Sequence, residues 1–511
     1  MMENNLLFYI LILPTIAAIL IFALPLKSNK AIRWFAFSSS LIPFLLSIIL
    51  WFQFDKGSSG FQFETQIPWF SAIGSSFHFG VDGISMPMVL LTTLLTPLAI
   101  LASYSIKENI KAYMALFLFL ETGVLGVFVS LDLLVFFLFW EIGLIPMYFL
   151  ISQWGGAKRN YAALKFILVT MAGSLGLLLS IQIVGLLSGS FDLKEIYQLW
   201  PALSEENFQR VIPLGLSLSS VKAIAFWAFV LAFAIKVPVW PVHTWLPDAH
   251  TEAPTAGSMI LAGVLLKLGA YGFIRFVIPF FPVESHRYAG ALAVLATAAI
   301  IFGALSAFAQ KDLKRLVAYS SINHMGFVVL GIAATAYDWQ STDNGIVESA
   351  IIALNGAILQ MFNHGLTSAG MFFLVGVVYD RTHTRQLDEL GGLWPVLPRY
   401  GAIFVFTAMA ALGLPGLNGF ISEFLVVRGA WGIFPLATAL SMIGLFFTGV
   451  YILKAIAGVL HGPRNDRWIS IPEINTREIW VIAPLMVLML WIGVWPASIL
   501  NLINQAVNFF F

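Results

Sequence analysis

Six acidic or basic side chains sit where the sequence is otherwise apolar. Lys236 ends an apolar run and is followed at once by Pro238, Pro241, Pro247 and Pro254 in FAIKVPVWPVHTWLPDAHTEAP, residues 233–254. Glu141 lies in FFLFWEIGLIPMYFL, Lys267 in LAGVLLKLGAYGF, Glu423 in GFISEFLVV and Lys454 in VYILKAIAG, with Glu121 nearer one end of FLFLETGVLGVF. His324 and His364 lie in apolar runs too, in SSINHMGFVVL and QMFNHGLTSAG. A charge deep in hydrocarbon costs roughly 2.5–3.5 kcal/mol on insertion scales. Taken singly, each has a plain explanation: a buried Lys–Glu pair pins two helices, and a lone helix histidine is a hydrogen-bonded packing residue. A set spread over separate helices resists that explanation, because apolar side chains would pack at lower cost. Lys454 is the weakest member, since a lysine near a helix end can snorkel to the headgroups.

The chemistry open to such a row is proton transfer. Full burial lowers a lysine pKa and raises a glutamate pKa by up to about 3–5 units, and an opposite charge nearby pushes both back. At about 1.36 kcal/mol per unit, bringing up or withdrawing one partner decides whether a lysine holds its proton near neutral pH. The prolines after Lys236 serve the same end. They break the helix, and non-helical backbone at membrane depth persists only where protein or water satisfies it. The freed carbonyls are therefore expected to stabilise the Lys236 ammonium and hold water. A second break, GLPGLNG at 413–419, stands just before Glu423. His243 and His250 flank the first break, where capping or packing is a simpler role for both than carrying protons.

These side chains need spans to hold them. Of the 511 residues, 59% are hydrophobic and only 10% charged, too few charges for a soluble surface. Apolar runs of about 20 residues, enough to cross a hydrocarbon core of roughly 30 Å, recur from end to end. The expected fold is an all-α polytopic membrane protein with about fourteen spans near 6–26, 32–53, 80–104, 112–130, 133–152, 160–188, 222–246, 256–281, 289–309, 313–336, 349–379, 399–431, 434–460 and 477–508, boundaries uncertain by about four residues. The most polar connections are 54–79, 189–220, 338–348 and 461–476. Fifteen lysines and arginines fall in alternate loops, including Lys27, Lys107, Lys158, Lys311, Arg385 and Arg464. Four fall in the others: Lys56, Lys194, Arg210 and Arg287. The positive-inside rule then puts both termini on the non-cytoplasmic side.

Lys236 to Lys267 is a step of 31 residues, and so is Glu423 to Lys454. With a broken helix in each half, that spacing suggests two inverted five-helix repeats, at 112–281 (helices 4–8) and 289–460 (helices 9–13), flanked by helices 1–3 in 1–111 and a loop with helix 14 in 461–511. The prolines of the two halves do not share the register of the charges. The first run, MMENNLLFYILILPTIAAILIFALP, carries Glu3 where a signal peptide is positive and reads as a retained helix. There are no cysteines, which excludes disulfides and thiolate-held iron–sulfur clusters in this chain. A net charge of +1 gives no reason to expect a nucleic-acid partner.

LDLLVFFLFWEIGLIPMYFLI, KVPVWPVHTWLPDAHTEAPTAGSMILAGVLLKLGAYGFIRF, KDLKRLVAYSSINHMGFV, HGLTSAGMFFLVGVVYDRTHTR and GLPGLNGFISEF, spread over residues 131–424, strongly resemble the antiporter-like subunits of respiratory complex I. FHFGVDGISMPMVLLT at 77–92 extends the likeness toward the N-terminus. Glu423 after the second break, where the L and N chains usually carry lysine, and an end soon after the fourteenth span without a long lateral helix, point to the bacterial M-type chain. The resemblance implies a subunit of a proton-translocating NADH:quinone oxidoreductase of the bacterial inner membrane, both termini periplasmic. Glu141 and Lys236 would be the buried pair of the first half-channel, Lys267 the connecting lysine, His324 and His364 the central relay, and Glu423 the terminal acid. The helix-four acid would be Glu121. The chain itself would hold no cofactor or metal, and it has no glycine-rich phosphate loop after a strand. NADH, FMN, iron–sulfur clusters and quinone would belong to partner subunits. Its neighbours would be the other membrane subunits, the antiporter-like L and N chains above all, and membrane lipids.

The main alternative is a subunit of a multisubunit Mrp-type Na+/H+ antiporter, with the same fold and nearly the same charged row; membrane-bound hydrogenases borrow the fold too. A haem or copper oxidase is the poorest fit, because of eight histidines only His324 and His364 sit well inside spans.

Overall fold

The computed structural model describes residues 5–25, 28–206, 208, 216–337, 343–463 and 465–508. Three of the charges counted for orientation, Lys27, Arg210 and Arg464, lie outside the described residues, as does the first part, 338–342, of the polar connection expected at 338–348. Thirteen described helices are long and apolar enough to cross a membrane. The one remaining expected span, 399–431, is two shorter helices, Pro398–Leu412 and Asn418–Trp431, separated by the glycine-rich break.

In chain order, α1 (Leu6–Ala23) and α2 (Asn29–Gln53) lead to the hairpin of β1 (Gln62–Phe70) and β2 (Ser75–Val81). Then come α3 (Ser85–Ala102) and α4 (Ile110–Val129), and α5 (Leu133–Ile142) and α6 (Leu144–Trp154), which make one span jointed at Gly143. They are followed by α7 (Arg159–Ser188), the short α8 (Leu193–Leu199) and α9 (Leu218–Lys236). After the first break come α10 (Trp245–Glu252) and α11 (Thr255–Phe280). The second half holds α12 (Pro282–Ala309), α13 (Leu313–Tyr337), α14 (Asn344–Thr382), α15 (Pro398–Leu412), α16 (Asn418–Trp431) and α17 (Pro435–Leu460). The chain closes with α18 (Thr476–Val494) and α19 (Ala497–Asn508).

Three expectations change. The connection 54–79, together with the first residues of the span expected at 80–104, forms a two-stranded antiparallel hairpin. It is the one sheet among the described residues of an otherwise helical molecule. The span expected at 222–246 ends as a helix at Lys236, and residues 237–244 are non-helical. The last span, 477–508, is broken at Trp495–Pro496 into α18 and α19, because a proline cannot continue the helix it follows.

Burial sorts the helices by role. α11 is buried along its whole apolar stretch, and α13 nearly so, whereas only 28% of the corresponding stretch of α2 is buried. The helices that carry Lys267 and His324 are thus the centre of the molecule, and α2 belongs to its rim. α11 is also irregular: Leu261–Leu265 and Phe273–Val277 are wound as π-helix on either side of Lys267. Such wide turns leave backbone carbonyls free inside an otherwise satisfied helix.

Candidate functional site

Six of the seven expected relay residues are buried: Glu121, Lys236, Lys267, His324, His364 and Glu423. The second half of the row holds two bonded pairs. Lys267, near the middle of α11, places Nζ 2.7 Å from Nδ1 of His364 on α14, and also donates to the carbonyl of Ala262 in the adjoining π-turn. The imidazoles of His364 and His324 have centroids 5.7 Å apart. His324 Nδ1 lies 2.7 Å from Oε1 of Glu423, and its Nε2 lies 3.2 Å from the Tyr451 hydroxyl. Glu423 Oε1 also accepts from Gln360 Nε2 at 2.9 Å, and Ser422 Oγ donates to Gln360 Oε1. Lysine, two histidines and a glutamate drawn from four helices therefore form two buried pairs that meet at the facing imidazoles. His364 Nε2, which points out of the Lys267 contact, has no hydrogen-bond partner.

Backbone contacts set these distances. A methyl group added at Gly365 would fall 2.8 Å from the Gly263 carbonyl, so α11 and α14 cross with almost no side chain between them, next to Lys267 and His364. At the second break, Gly413 ends α15 at φ +84°, a conformation that favours glycine. A methyl there would lie 3.4 Å from Glu423 Oε2. The sharp turn is what lets the start of α16 bring its acid to His324.

The first half is arranged differently. Lys236 and Glu141, expected as the buried pair of the first half-channel, lie within electrostatic reach of each other but are not among the described ion pairs within 4 Å. Lys236 Nζ has no hydrogen-bond partner and lies 4.9 Å from the ring centroid of Trp140, the residue before Glu141. The freed carbonyls expected to hold this ammonium are otherwise engaged. Ile235 O accepts from the Trp245 indole at 2.9 Å, and Ala234 O accepts from Val239 N. Glu141 is only half-buried, with Oε1 unpartnered, and it lines a cavity of about 350 Å³ under the hairpin turn with Trp69, Phe70 and Ile73. Lys236 Cβ approaches Gly269 of α11, where an added methyl would meet it at 3.0 Å. At its base the lysine thus packs against the helix that carries Lys267. Glu121 on α4 is buried with both carboxylate oxygens unpartnered, and it touches none of the other relay residues through a hydrogen bond.

Lys454 is bonded to a helix end. Its Nζ donates to Phe308 O at 2.6 Å and Gln310 O at 2.8 Å, closing the C-terminal end of α12, where a cation meets the negative end of the helix dipole. His243 is half-buried near Tyr319 with Nδ1 unpartnered, and it caps nothing through that atom. His250 is fully buried, stacked on Phe372 at 4.5 Å with both nitrogens unpartnered. Two groups went unmarked in the sequence. Lys314, counted there as a loop charge, is buried and donates to Ala253 O. Gln360 has no charge to betray it in an apolar run, yet it holds Glu423.

Outside the spans, His78 of β2 is clamped between Asp192 Oδ2 (2.6 Å) and Glu64 Oε2 (3.0 Å), and Lys194 pairs with Glu64. Burial works against the imidazolium, but the hydrogen bonds and charges of Asp192 and then Glu64 outweigh it, so the His78 pKa is raised. Burial alone would push Asp192 up, but its bond to His78 and the local backbone N–H groups hold it below the usual range. Among the described residues no group of three or more His, Cys, Asp or Glu side chains could hold a metal.

The family model described as "NADH:quinone oxidoreductase/Mrp antiporter, TM" matches residues 130–449, and one described as "NADH-ubiquinone oxidoreductase chain 4, amino terminus" matches 8–130. NADH-quinone oxidoreductase subunit M of Rickettsia conorii is 40% identical over 515 residues, covering 99% of both chains. The subunit M of Rhodobacter capsulatus is 39% identical over 99% of this chain and 96% of its own. An NAD(P)H-quinone oxidoreductase chain 4 of Thermosynechococcus vestitus is 41% identical over 95% of this chain and 88% of its own. Among solved structures, a chain of respiratory complex I from Thermus thermophilus with bound NADH superposes with a TM-score of 0.85 at 29% identity, covering 99% of each chain. A chain of the Mrp complex from Dietzia superposes at 0.81 with 21% identity, covering 99% of this chain and 97% of its own, which is a likeness of fold. The chain therefore belongs to the NADH:quinone oxidoreductase/Mrp antiporter family of membrane subunits, as an antiporter-like subunit of the complex I type.

Proposed function

We propose that this chain moves protons across the membrane as the M-type subunit of an NADH–quinone oxidoreductase, driven by electron transfer from NADH to quinone in partner subunits. The observation that carries the reading is the bonded row Lys267–His364 and His324–Glu423 inside the bilayer-spanning helices. In this mechanism a change in the neighbouring subunit brings Glu141 and Lys236 into or out of effective contact. Lys236 then releases its proton toward Lys267. Lys267 Nζ passes a proton to His364 Nδ1, and His364 gives one up from Nε2. At 5.7 Å between rings, transfer to His324 runs through a bridging water. His324 Nδ1 delivers to Glu423, and the row reloads. Glu121 is a reserve acid beside the first half, with no link yet to the chain of bonds.

The same reading takes 112–281 and 289–460 as two related units, places both termini on the periplasmic side of a bacterial inner membrane, and makes the L- and N-type chains the neighbours. Full-length identity near 40% to NADH-quinone oxidoreductase subunits, against 21% to a chain of an Mrp complex, favours it over sodium–proton antiport.

The test replaces Glu141 or Lys236 by alanine in the whole complex. Both variants are expected to assemble, to lose proton pumping in sealed vesicles, and to lose much of the coupled NADH–quinone turnover. Assembled variants that pump at the parental rate sink the relay. Pumping that survives only in sodium would favour the antiporter reading.

A further inference from the structure

A crevice of about 840 Å³ opens between α2, α3 and α18, away from the ionisable row. Its long walls are apolar, with Phe37, Leu41, Phe44, Leu98 and Trp480 among them, and its mouth is cationic, with Lys30, Arg33 and Arg477. The two arginines face one ring. The Arg33 guanidinium lies 4.4 Å from the Tyr104 centroid and that of Arg477 lies 4.0 Å from it. Neither takes part in an ion pair among the described residues, and Arg33 Nε is buried without a hydrogen-bond partner. The nearby carboxylates Glu478 and Asp380 act on Arg477 through their charge but do not pair with it directly: Glu478 takes both guanidinium nitrogens of Arg381, at 3.0 and 2.6 Å, and Asp380 bonds Ser105. Both α2 and α18 begin at this mouth, so the positive ends of two helix dipoles add to the field.

Two guanidiniums on one ring repel each other unless an anion lies between them. A membrane-spanning protein that leaves a greasy groove directly below such a pair offers two chemistries a few ångströms apart. We propose that the crevice binds an anionic glycerophospholipid, its phosphate between Arg33 and Arg477 with Lys30 at the rim, and one acyl chain lying along the α2–α3–α18 walls. Free phosphate would use the cations and leave the groove empty; a neutral lipid would use the groove and leave the cations unneutralised. A neighbouring helix fits poorly. With a diameter of about 10–12 Å, a helix filling this volume would be only about six residues long. The volume lies in the range of roughly 300–1,000 Å³ that encloses one small organic ligand. Basic pockets between spans on the positive side of the membrane suit lipid headgroups for the same reason.

The assembled complex in nanodiscs, doped with phosphatidylglycerol or phosphatidylcholine carrying a photoreactive acyl chain, tests this by peptide mapping after irradiation. Phosphatidylglycerol is expected to label peptides containing Trp34–Phe44 and Trp480–Pro484 well above phosphatidylcholine, and each cation removed should cut that labelling about fivefold. Arg33→Gln/Arg477→Gln is the strongest variant. Arg477→Gln alone, which costs no described hydrogen bond, keeps the test decisive should Arg33, a donor to Ile106 O, be needed for assembly. Equal labelling by the two lipids, labelling indifferent to Arg477, or no labelling because another subunit covers the groove would each overturn the proposal.

Discussion

The two ends of the charged row are built on opposite plans. Around Glu423 the side chains are bonded to one another: His324 and Gln360 meet its Oε1, Ser422 donates to Gln360, and Tyr451 contacts His324, forming a network. At the other end, the Lys236 Nζ faces the Trp140 ring without a hydrogen bond, and Glu141, one residue along from that ring and within electrostatic reach, faces a cavity. A closed network holds one geometry and stabilises the fold. An unpaired buried ammonium destabilises the fold until something approaches it. The difference assigns the parts: the first end is where an outside event can change a protonation state, and the second is where a proton is handed along a prepared path.

Substitutions can break that contrast. His324→Ala strips the buried glutamate of its partner and should cost about 3–5 kcal/mol, read as a lower unfolding temperature of the complex, together with loss of pumping. Lys236→Met should abolish pumping equally, yet leave thermal stability unchanged or raise it by about 1 kcal/mol, since no hydrogen bond is lost and a burial penalty is relieved. Equal destabilisation by the two would erase the distinction. Gly365→Ala presses a methyl against the Gly263 carbonyl, and overpacking of this kind costs about 1–3 kcal/mol. It should slow turnover by separating Lys267 from His364, which the pumping rate per NADH would show.

The hairpin sharpens the comparison through pH. The raised pKa of His78 means its contribution is complete below its ordinary 6.5 and is lost as pH climbs through the raised value. The lowered pKa of Asp192 means its contribution is complete above 3.8 and fades as pH falls through the lowered value. Hydrogen exchange at 62–81, corrected for intrinsic rates, should therefore show greatest protection between pH 3.8 and 6.5. On the alkaline side it should lose on the order of 1–3 kcal/mol, and His78→Phe should abolish that alkaline loss. The smallest effect is expected at Lys454→Met, which uncaps α12 for about 0.3–1 kcal/mol and leaves pumping unchanged; impaired pumping would return Lys454 to the relay.

Much of this was legible in the sequence because lipid makes ionisable residues expensive and therefore conspicuous. Lys267, His324, His364 and Glu423 were visible as charges and histidines in apolar runs, and the breaks as proline and glycine clusters. The pairing of those side chains was not, since periodicity along a chain says nothing of which helices cross. Resemblance named Glu141 and Lys236 as a buried pair, but nothing along the chain showed that the Lys236 Nζ would face the Trp140 ring. Lys454 was the weakest of the buried charges in the sequence, and only the end of α12 beside it reveals the carbonyls it caps. The hairpin escaped notice because nine residues such as QFETQIPWF are short and mostly exposed, and nothing in hydropathy separates them from a loop.

The near-contact of Gly263 with Gly365 has a mechanical consequence. Two rods touching backbone to backbone cannot be squeezed closer and, with neighbours packed on their far sides, have little room to part. Any gating of the Lys267–His364 junction is thereby left to torsion within the lysine and imidazole themselves, fast and local, with the slow rearrangement confined to the loosely held end at Lys236.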